Sequence, residues 1–232
     1  MVSEKNTGIE NRAFEDVLRG RSSVRGFLPT PLSAEKLRQI FELAQRSPSN
    51  CNTQPWRVCV VSGRVCQSLR DRLYELASSD QEPNPDFKIQ HAYDGVFRQR
   101  QVDCATALYD SMGVQRGDKS QRKAAMLRNF EFFQAPHAAF ISMPKRFGVF
   151  NALDVGMYLQ TLLLCMKSYG VASCAQGALA LYPDAVREVT GIADDQGILV
   201  GVSFGYEDPD HVTSNTVTSR ADLGDIVTFL ND

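Results

Sequence analysis

Apolar residues recur at helical spacing early in the chain. Phe14, Val17 and Leu18 mark an apolar side of a short helix over residues 10–19, which Gly20 stops. Leu37, Ile40, Phe41 and Ala44 repeat the spacing over residues 34–46, and Ser33 stands where a capping hydroxyl is needed. The apolar run Val58-Cys59-Val60-Val61 then predicts a strand over residues 57–61. Val65, Leu69, Leu73 and Leu76 mark a further helix. Residues 80–92 contain Pro83 and Pro85 and read as irregular chain.

The second half continues this alternation. A helix is predicted from about residue 96 to 111, ending at Gly113, and another over residues 119–133, capped by Asp118 and terminated by Pro136. An apolar strand over residues 138–142 leads to Pro144, and a long helix over residues 151–168 ends at Gly170. Residues 171–174 read as a short strand. Pro183 starts a small helix that carries Val186 and Val189 and stops before Gly191. Residues 198–204, Ile-Leu-Val-Gly-Val-Ser-Phe, are the strongest strand signal. Residues 208–218 are polar, and an apolar segment, Ile-Val-Thr-Phe-Leu, follows at 226–230. Long helices between short strands predict an α+β core, helices against a sheet, in a single domain over residues 1–232. The late apolar segment, after its polar connection, reads as an arm that reaches across a dimer partner.

Composition narrows the classes. The chain has 232 residues with 43% hydrophobic and 22% charged content, enough for a full core. A formal net charge of -2 argues against a nucleic-acid-binding domain or a polybasic membrane anchor. The opening residues Met1 to Thr7 are polar, and the apolar stretch from Ala152 to Met166 contains Asp154 and Gln160, which favours a buried helix over a membrane span. A cytoplasmic location is expected. The cysteines at 51, 59, 66, 104, 165 and 174 form no CxxC pair, and His91, His137 and His211 complete no metal-ligand spacing, so no metal is expected.

Chemistry concentrates in a few segments. The loop Arg46-Ser47-Pro48-Ser49-Asn50-Cys51-Asn52-Thr53-Gln54-Pro55-Trp56 packs together amides, a hydroxyl, two prolines and the only Trp. Such groups can bind a heteroaromatic ring or its polyol tail through directed hydrogen bonds. Arg21-Ser22-Ser23-Val24-Arg25 places two guanidinium groups and two hydroxyls past a helix end, a set suited to phosphate. Arg220 is a third cationic candidate. The small residues of Gly170-Val171-Ala172-Ser173-Cys174-Ala175-Gln176-Gly177-Ala178 let a ligand lie close to the backbone. Each segment also has an ordinary reading: a solvated basic turn, a surface ion-pair partner, tight helix–sheet packing. No Walker A segment or GxGxxG occurs, and Cys51 has no evident base among its loop neighbours. Asp154 and Glu131 read as helix-terminal or core hydrogen-bond partners. Many binders without a proton-transfer team point to a cofactor that carries the chemistry.

The combination resembles the FMN-dependent nitroreductase family. The resemblance rests on Arg21-Ser22-Ser23-Val24-Arg25-Gly26-Phe27, on Pro48 through Trp56, on Gly170 through Gly177, and on Gly205-Tyr206 through Arg220, in the family's order. It implies an α+β fold, a central mixed or antiparallel sheet surrounded by helices, in an intertwined homodimer with FMN at the interface. By that resemblance Arg21, Ser22, Ser23 and Arg220 are similar to phosphate or ribityl ligands, and Arg25 to a basic residue near the flavin's polar edge or phosphate side. Pro48, Ser49 and Asn50 belong to the cofactor-binding loop, the latter two as contacts contributed by the partner subunit. Asn52 and Gln54 support that loop or meet the flavin. The backbone of Ala175, Gln176 and Gly177 resembles the part facing flavin N5. Several family members carry Glu-Gly there, where this chain has Gln176-Gly177.

The resemblance implies an NAD(P)H-dependent enzyme with a ping-pong cycle, reducing nitroaromatic compounds or quinones, with no side chain as catalytic acid or base. A flavin dehydrogenase or reductive dehalogenase on the same scaffold is the alternative enzyme, and a flavin-binding sensor or storage protein the alternative outside enzymes. Residues 80–135 are the expected substrate-shaping region, with Phe87, Tyr93, Phe97, Tyr109, Met112, Phe130, Phe132 and Phe133 as aromatic or soft candidates. Arg98, Arg100, Arg116 and Arg122 raise recognition of an aromatic carboxylate. Residues 206–232 are the expected dimer-crossing tail.

Overall fold

The computed structural model describes residues 10–89, 92–214 and 216–230. The polar opening Met1 to Thr7 and His91 lie outside the described residues, as does part of the expected 206–232 tail. The strands are β1 (Arg57–Ser62), β2 (His137–Pro144), β3 (Ala172–Gln176) and β4 (Gln196–Gly205). They form one four-stranded sheet in the order β1-β2-β4-β3, each neighbouring pair antiparallel. The helices are α1 (Glu10–Gly20), α2 (Ala34–Ala44), α3 (Gly63–Ser78), α4 (Gly95–Ser111), α5 (Lys119–Leu127), α6 (Val149–Ser168), α7 (Pro183–Thr190) and the short α8 (Leu223–Ile226).

Alternation along β2 divides the core between the two sheet faces. Ala139, Ile141 and Met143 join Val202 and Phe204 of β4 under α2 and α6. Ala138 and Phe140 turn the other way, toward Leu69 and Leu73 of α3 and Val186 of α7. The strand reads as a continuous apolar run because both faces are covered. The long apolar α6 likewise carries the buried Val155, Tyr158, Leu162 and Met166 and is a core helix.

The caps fall where expected. Ser33 Oγ accepts the Lys36 N–H at 3.2 Å, and Asp118 Oδ1 accepts the Gln121 N–H at 2.8 Å. The helix expected over residues 119–133 stops at Leu127 instead. Phe132, Phe133 and Gln134 adopt φ of 55°, 52° and 65°, in the left-handed region. That turn sends Phe130 and Phe132 into the α3 core and Phe133 into a separate cluster with Val24 and Phe27. A continuous helix would not divide them so. Each buried ring contributes roughly 1.5–3 kcal/mol, enough to offset about 1–2 kcal/mol per left-handed residue. At the other end, α1 packs on α6 with Val17 half-buried but leaves Phe14 and Leu18 59% and 43% exposed in the single chain. Of the late apolar segment, Ile226 closes α8, and residues 227–230 form neither helix nor strand.

The irregular chain after α3 is fixed by charge. The nearly buried Asp86 carboxylate meets Arg187 at 2.5 Å and Lys145 at 2.9 Å, and accepts the Ile198 N–H at 2.9 Å. Burial raises its pKa, but these donors outweigh burial and hold it below the usual carboxylate value.

Candidate functional site

The β3 edge gathers three segments that are distant in sequence. Ser23 makes a parallel bridge to Ser173, and the Val24 N–H donates to the Ser173 carbonyl at 3.1 Å. Phe27 bridges Glu207, Leu28 N–H donates to the Tyr206 carbonyl at 2.9 Å, and Asp208 N–H donates to the Gly26 carbonyl at 3.1 Å. The basic turn, the small-residue segment and the start of the closing segment thus form one body. Arg21 and Ser22 line a cavity of about 80 Å³ with Lys167, Gly170, Ala172 and Ser173. Burial pushes the Cys174 thiol up in pKa, while Arg25, Arg21 and a hydrogen bond with Ser23 pull it down. All three therefore act on one point beneath the turn.

Arg25 donates to the Ser23 carbonyl at 3.1 Å, and its guanidinium lies 6.0 Å from the Phe133 ring centre. Arg128 approaches the same ring at 5.7 Å. Its Nη2 also donates to the Arg25 carbonyl at 2.8 Å and meets His211 Nε2 at 2.9 Å. Burial lowers the Arg128 pKa, Glu131 raises it, and Arg25 lowers it further. Neither Arg128 nor His211 carries a motif signal. Their contacts span 103 and 83 residues, so only the fold reveals them.

At the far end of β3 the side chain of Gln176 turns inward. Its Nε2 donates to the Asn129 carbonyl at 3.0 Å and to Asn129 Oδ1 at 3.2 Å, and its Oε1 accepts from the Ser203 hydroxyl. Both ends of the amide are occupied. Ala175 and Gly177 on either side are exposed, so this segment offers a ligand its backbone.

The loop between α2 and β1 is tightly shaped. Cys51, Asn52 and Gln54 have φ of 49°, 55° and 45°. Ser49 Oγ accepts the Gln54 N–H at 2.9 Å, and Gln54 Nε2 donates to the Asn52 carbonyl and Oδ1 at 3.0 and 3.1 Å. The Asn50 N–H donates to Asp154 Oδ1 at 3.0 Å. Asp154 is the core partner its place in an apolar helix suggests, and its other oxygen is buried without a hydrogen bond. Trp56 donates to Gln45 Oε1 at 3.1 Å and stacks on Tyr158 with ring centres 4.9 Å apart. Pro48, Asn50, Asn52 and Gln54 are exposed, and Ser49 is half-buried. Gln54 and Trp56 line a groove of about 630 Å³ along β1 and α2.

Within one chain Arg220 is not brought to Arg21 and Arg25. It is exposed, donates to the Thr218 carbonyl and hydroxyl and the Ser219 carbonyl, and lines a different cavity, of about 930 Å³, against α4. The expected substrate-shaping aromatics divide. Phe130, Phe132 and Phe133 are core, and Phe87 packs partly buried against the core on the α2 and α6 face of the sheet and over Gly197. Tyr93 and Phe97 remain exposed. Arg98 bonds Gln101, Arg122 lies over Tyr109, and Arg100 lies over Phe97 beside the Arg220 cavity.

Comparison with known proteins agrees with this geometry. The nitroreductase family profile matches residues 18–206. The chain is 36% identical over 222 residues to nitroreductase NfnB of Mycolicibacterium smegmatis, covering 94% of this chain and 93% of that protein. It is 33% identical over 229 residues to a 4-nitrobenzoate reductase of Nocardioides sp., covering 95% and 91%. Among solved structures, the FMN-dependent nitroreductase NfnB from Mycobacterium smegmatis, in complex with NADPH, superposes with a TM-score of 0.92 at 34% identity, covering 96% of this chain and 100% of that one. The basic turn, the open end of β3 and the amide loop all lie within residues 18–206, and the chain is a member of the nitroreductase family.

Proposed function

We propose that this chain is an FMN-dependent oxidoreductase that takes electrons from NADH or NADPH and reduces nitroaromatic compounds or quinones. The carrying observation is the joining of the Arg21–Arg25 turn to β3, whose exposed Ala175 and Gly177 leave backbone open at its end. The donor set suits FMN. Arg21 and Arg25 supply guanidinium forks for a phosphate, and Ser22 and Ser23 supply neutral donors. Pro48, Ser49, Asn50, Asn52 and Gln54 supply a preformed polar wall for a polyol or ring edge. FMN, when bound, supplies the hydride-carrying centre for both halves of a ping-pong cycle. The chain's own work is to neutralise the phosphate, hold the ring against the backbone of Ala175, Gln176 and Gly177, and limit solvent access. Gln176 keeps that backbone in place through Asn129 and Ser203.

A homodimer completes the site in this reading. Arg220 and Arg21 line different cavities of one chain, and the amide loop faces a third. A second copy brings Ser49, Asn50 or Arg220 to the turn that its partner provides. The exposed tail segment 226–230 is the arm that crosses, and β1, an outer strand of the sheet, offers it an edge. A nicotinamide-using enzyme with these features works in the cytosol. Relatives named as 4-nitrobenzoate reductases support an aromatic carboxylate among the acceptors, with Arg100 beside Phe97 as its recognition group.

Absorption spectroscopy tests the framework. The purified protein should show oxidised-flavin bands and consume NAD(P)H with a nitroaromatic acceptor. A colourless protein that does not reconstitute with FMN overturns the reading. Equal kcat/KM for nitrobenzene and 4-nitrobenzoate would remove carboxylate recognition alone.

A further inference from the structure

His211 sits behind the basic turn, not in it. Arg128 can only donate, so the His211 Nε2 that meets it at 2.9 Å is the accepting nitrogen; Nδ1 lies 2.8 Å from Thr213 Oγ1, to which it donates in this tautomer, and 3.2 Å from the weaker-placed Thr213 backbone N–H. The same Arg128 Nη2 holds the Arg25 carbonyl at 2.8 Å. The contact is sterically fixed from the other side. A Cβ on Gly26 would come within 2.2 Å of the His211 ring, so the ring rests directly on the backbone next to Arg25. Imidazole, guanidinium and turn carbonyl form one chain of contacts.

We propose that His211, as a neutral acceptor, positions Arg25 through Arg128, and that acidification loosens the grip of the Arg21–Arg25 turn on the FMN phosphate by protonating His211. The inference rests on the FMN reading above. A protonated ring would turn an N–H toward the Arg128 N–H groups, two donors and two positive charges face to face. Arg128 faces the ring from the turn after α5, and Asp208 faces it from its own segment. Arg128 is itself flanked by Glu131 and Arg25. Burial, then the Arg128 charge, lowers the His211 pKa from the ordinary 6.5, and Asp208 opposes them. A bound phosphate would attract a protonated His211, which favours the opposite sign. That attraction acts past Arg128 and is screened, whereas the lost hydrogen bond is direct, so the direct contact decides.

The test is FMN affinity from pH 8 to pH 5.5, read by flavin fluorescence, in the full-length protein and in His211→Gln and His211→Ala. The phosphate of FMN itself titrates near about 6, which weakens binding in every protein alike. The difference between profiles therefore isolates His211. Glutamine offers Arg128 a neutral acceptor at every pH, so its profile should be flatter. The wild type should lose about threefold to tenfold more affinity than His211→Gln across the range, a tenfold change corresponding to about one pKa unit of differential interaction. His211→Ala should bind FMN more weakly than His211→Gln at pH 8. Parallel wild-type and Gln profiles, or a wild type that gains affinity relative to Gln in acid, overturn the inference. If the wild type fails to bind FMN even at pH 8, the functional reading fails instead.

Discussion

At the residue scale, two buried polar groups hold backbone in place and make distinct predictions. His137 lies between β1 and the turn before α2. Its Nε2 accepts the Leu32 N–H at 2.8 Å, so Nδ1–H donates to Ser62 Oγ at 2.6 Å. Burial lowers its pKa from 6.5, so the neutral ring is the native form. A depressed folded pKa means that this stability is complete above the unfolded value of 6.5 and is lost as pH falls below it. The urea midpoint should drop more between pH 7.5 and pH 5.5 in the wild type than in His137→Asn, and parallel drops would remove His137 from the account. Asp154 makes the second case. Its carboxylate holds the Asn50 N–H of a loop with three non-glycine residues at positive φ. Asp154→Ala should cost about 0.5–1.5 kcal/mol in denaturant unfolding, the net range for losing one intramolecular hydrogen bond. Asp154→Asn keeps an acceptor and should cost less; equal losses would show that the hydrogen bond is not what matters. The sequence made the amide loop visible through its composition, and the basic turn through its paired guanidinium groups. It did not make visible what aims them. Asp154, Arg128 and His211 each act across more than 80 residues, and local patterning carries no information about such pairs.

At the element scale, periodicity located all four strands and most helix bodies, because each element buries one face or two against a neighbour. It failed where a segment serves two cores. The run after Leu127 is apolar enough to continue a helix, but Phe130 and Phe132 belong under α3 while Phe133 belongs beside Val24. The chain turns through positive φ to satisfy both. The same competition for space appears where β4 meets the turn after β3. A Cβ on Gly201 would lie 2.5 Å from Leu179 Cδ1 and 2.6 Å from its Cβ. Leu179 is fully buried and has no room to retreat. Gly201→Ala should therefore destabilise by about 1–3 kcal/mol, the usual cost of overpacking, read as a lower Tm. Because Leu179 lies two residues after Gly177, the end of the segment proposed to face the flavin ring, FMN affinity should fall with it. An unchanged Tm would mean that the turn is looser than its packing implies.

At the scale of the whole molecule, the proposed homodimer makes a prediction about the exposed apolar surface of the single chain. Val149, Phe150 and Leu153 at the start of α6 are exposed, and so are Phe14 and Leu18 of α1, which packs on α6. Each large apolar side chain left in water forgoes roughly 1.5–3 kcal/mol of burial, so a second copy of this surface is a strong candidate cover. The residues proposed to hold FMN point the same way, since Arg21, Gln54 and Arg220 line separate cavities. If one contact surface both closes the apolar face and assembles the site, dimerisation and FMN retention must fail together. Phe150→Glu tests this without touching the core, because the ring is 76% exposed in the single chain. Light scattering should report twice the 25.8 kDa chain mass for the wild type and the single-chain mass for the variant. The flavin absorption of the variant should fall in the same preparation. A dimeric, yellow variant would show that this face is not the contact. A monomer that keeps its FMN would show that one chain suffices to build the site, and the composite pocket would have to be abandoned.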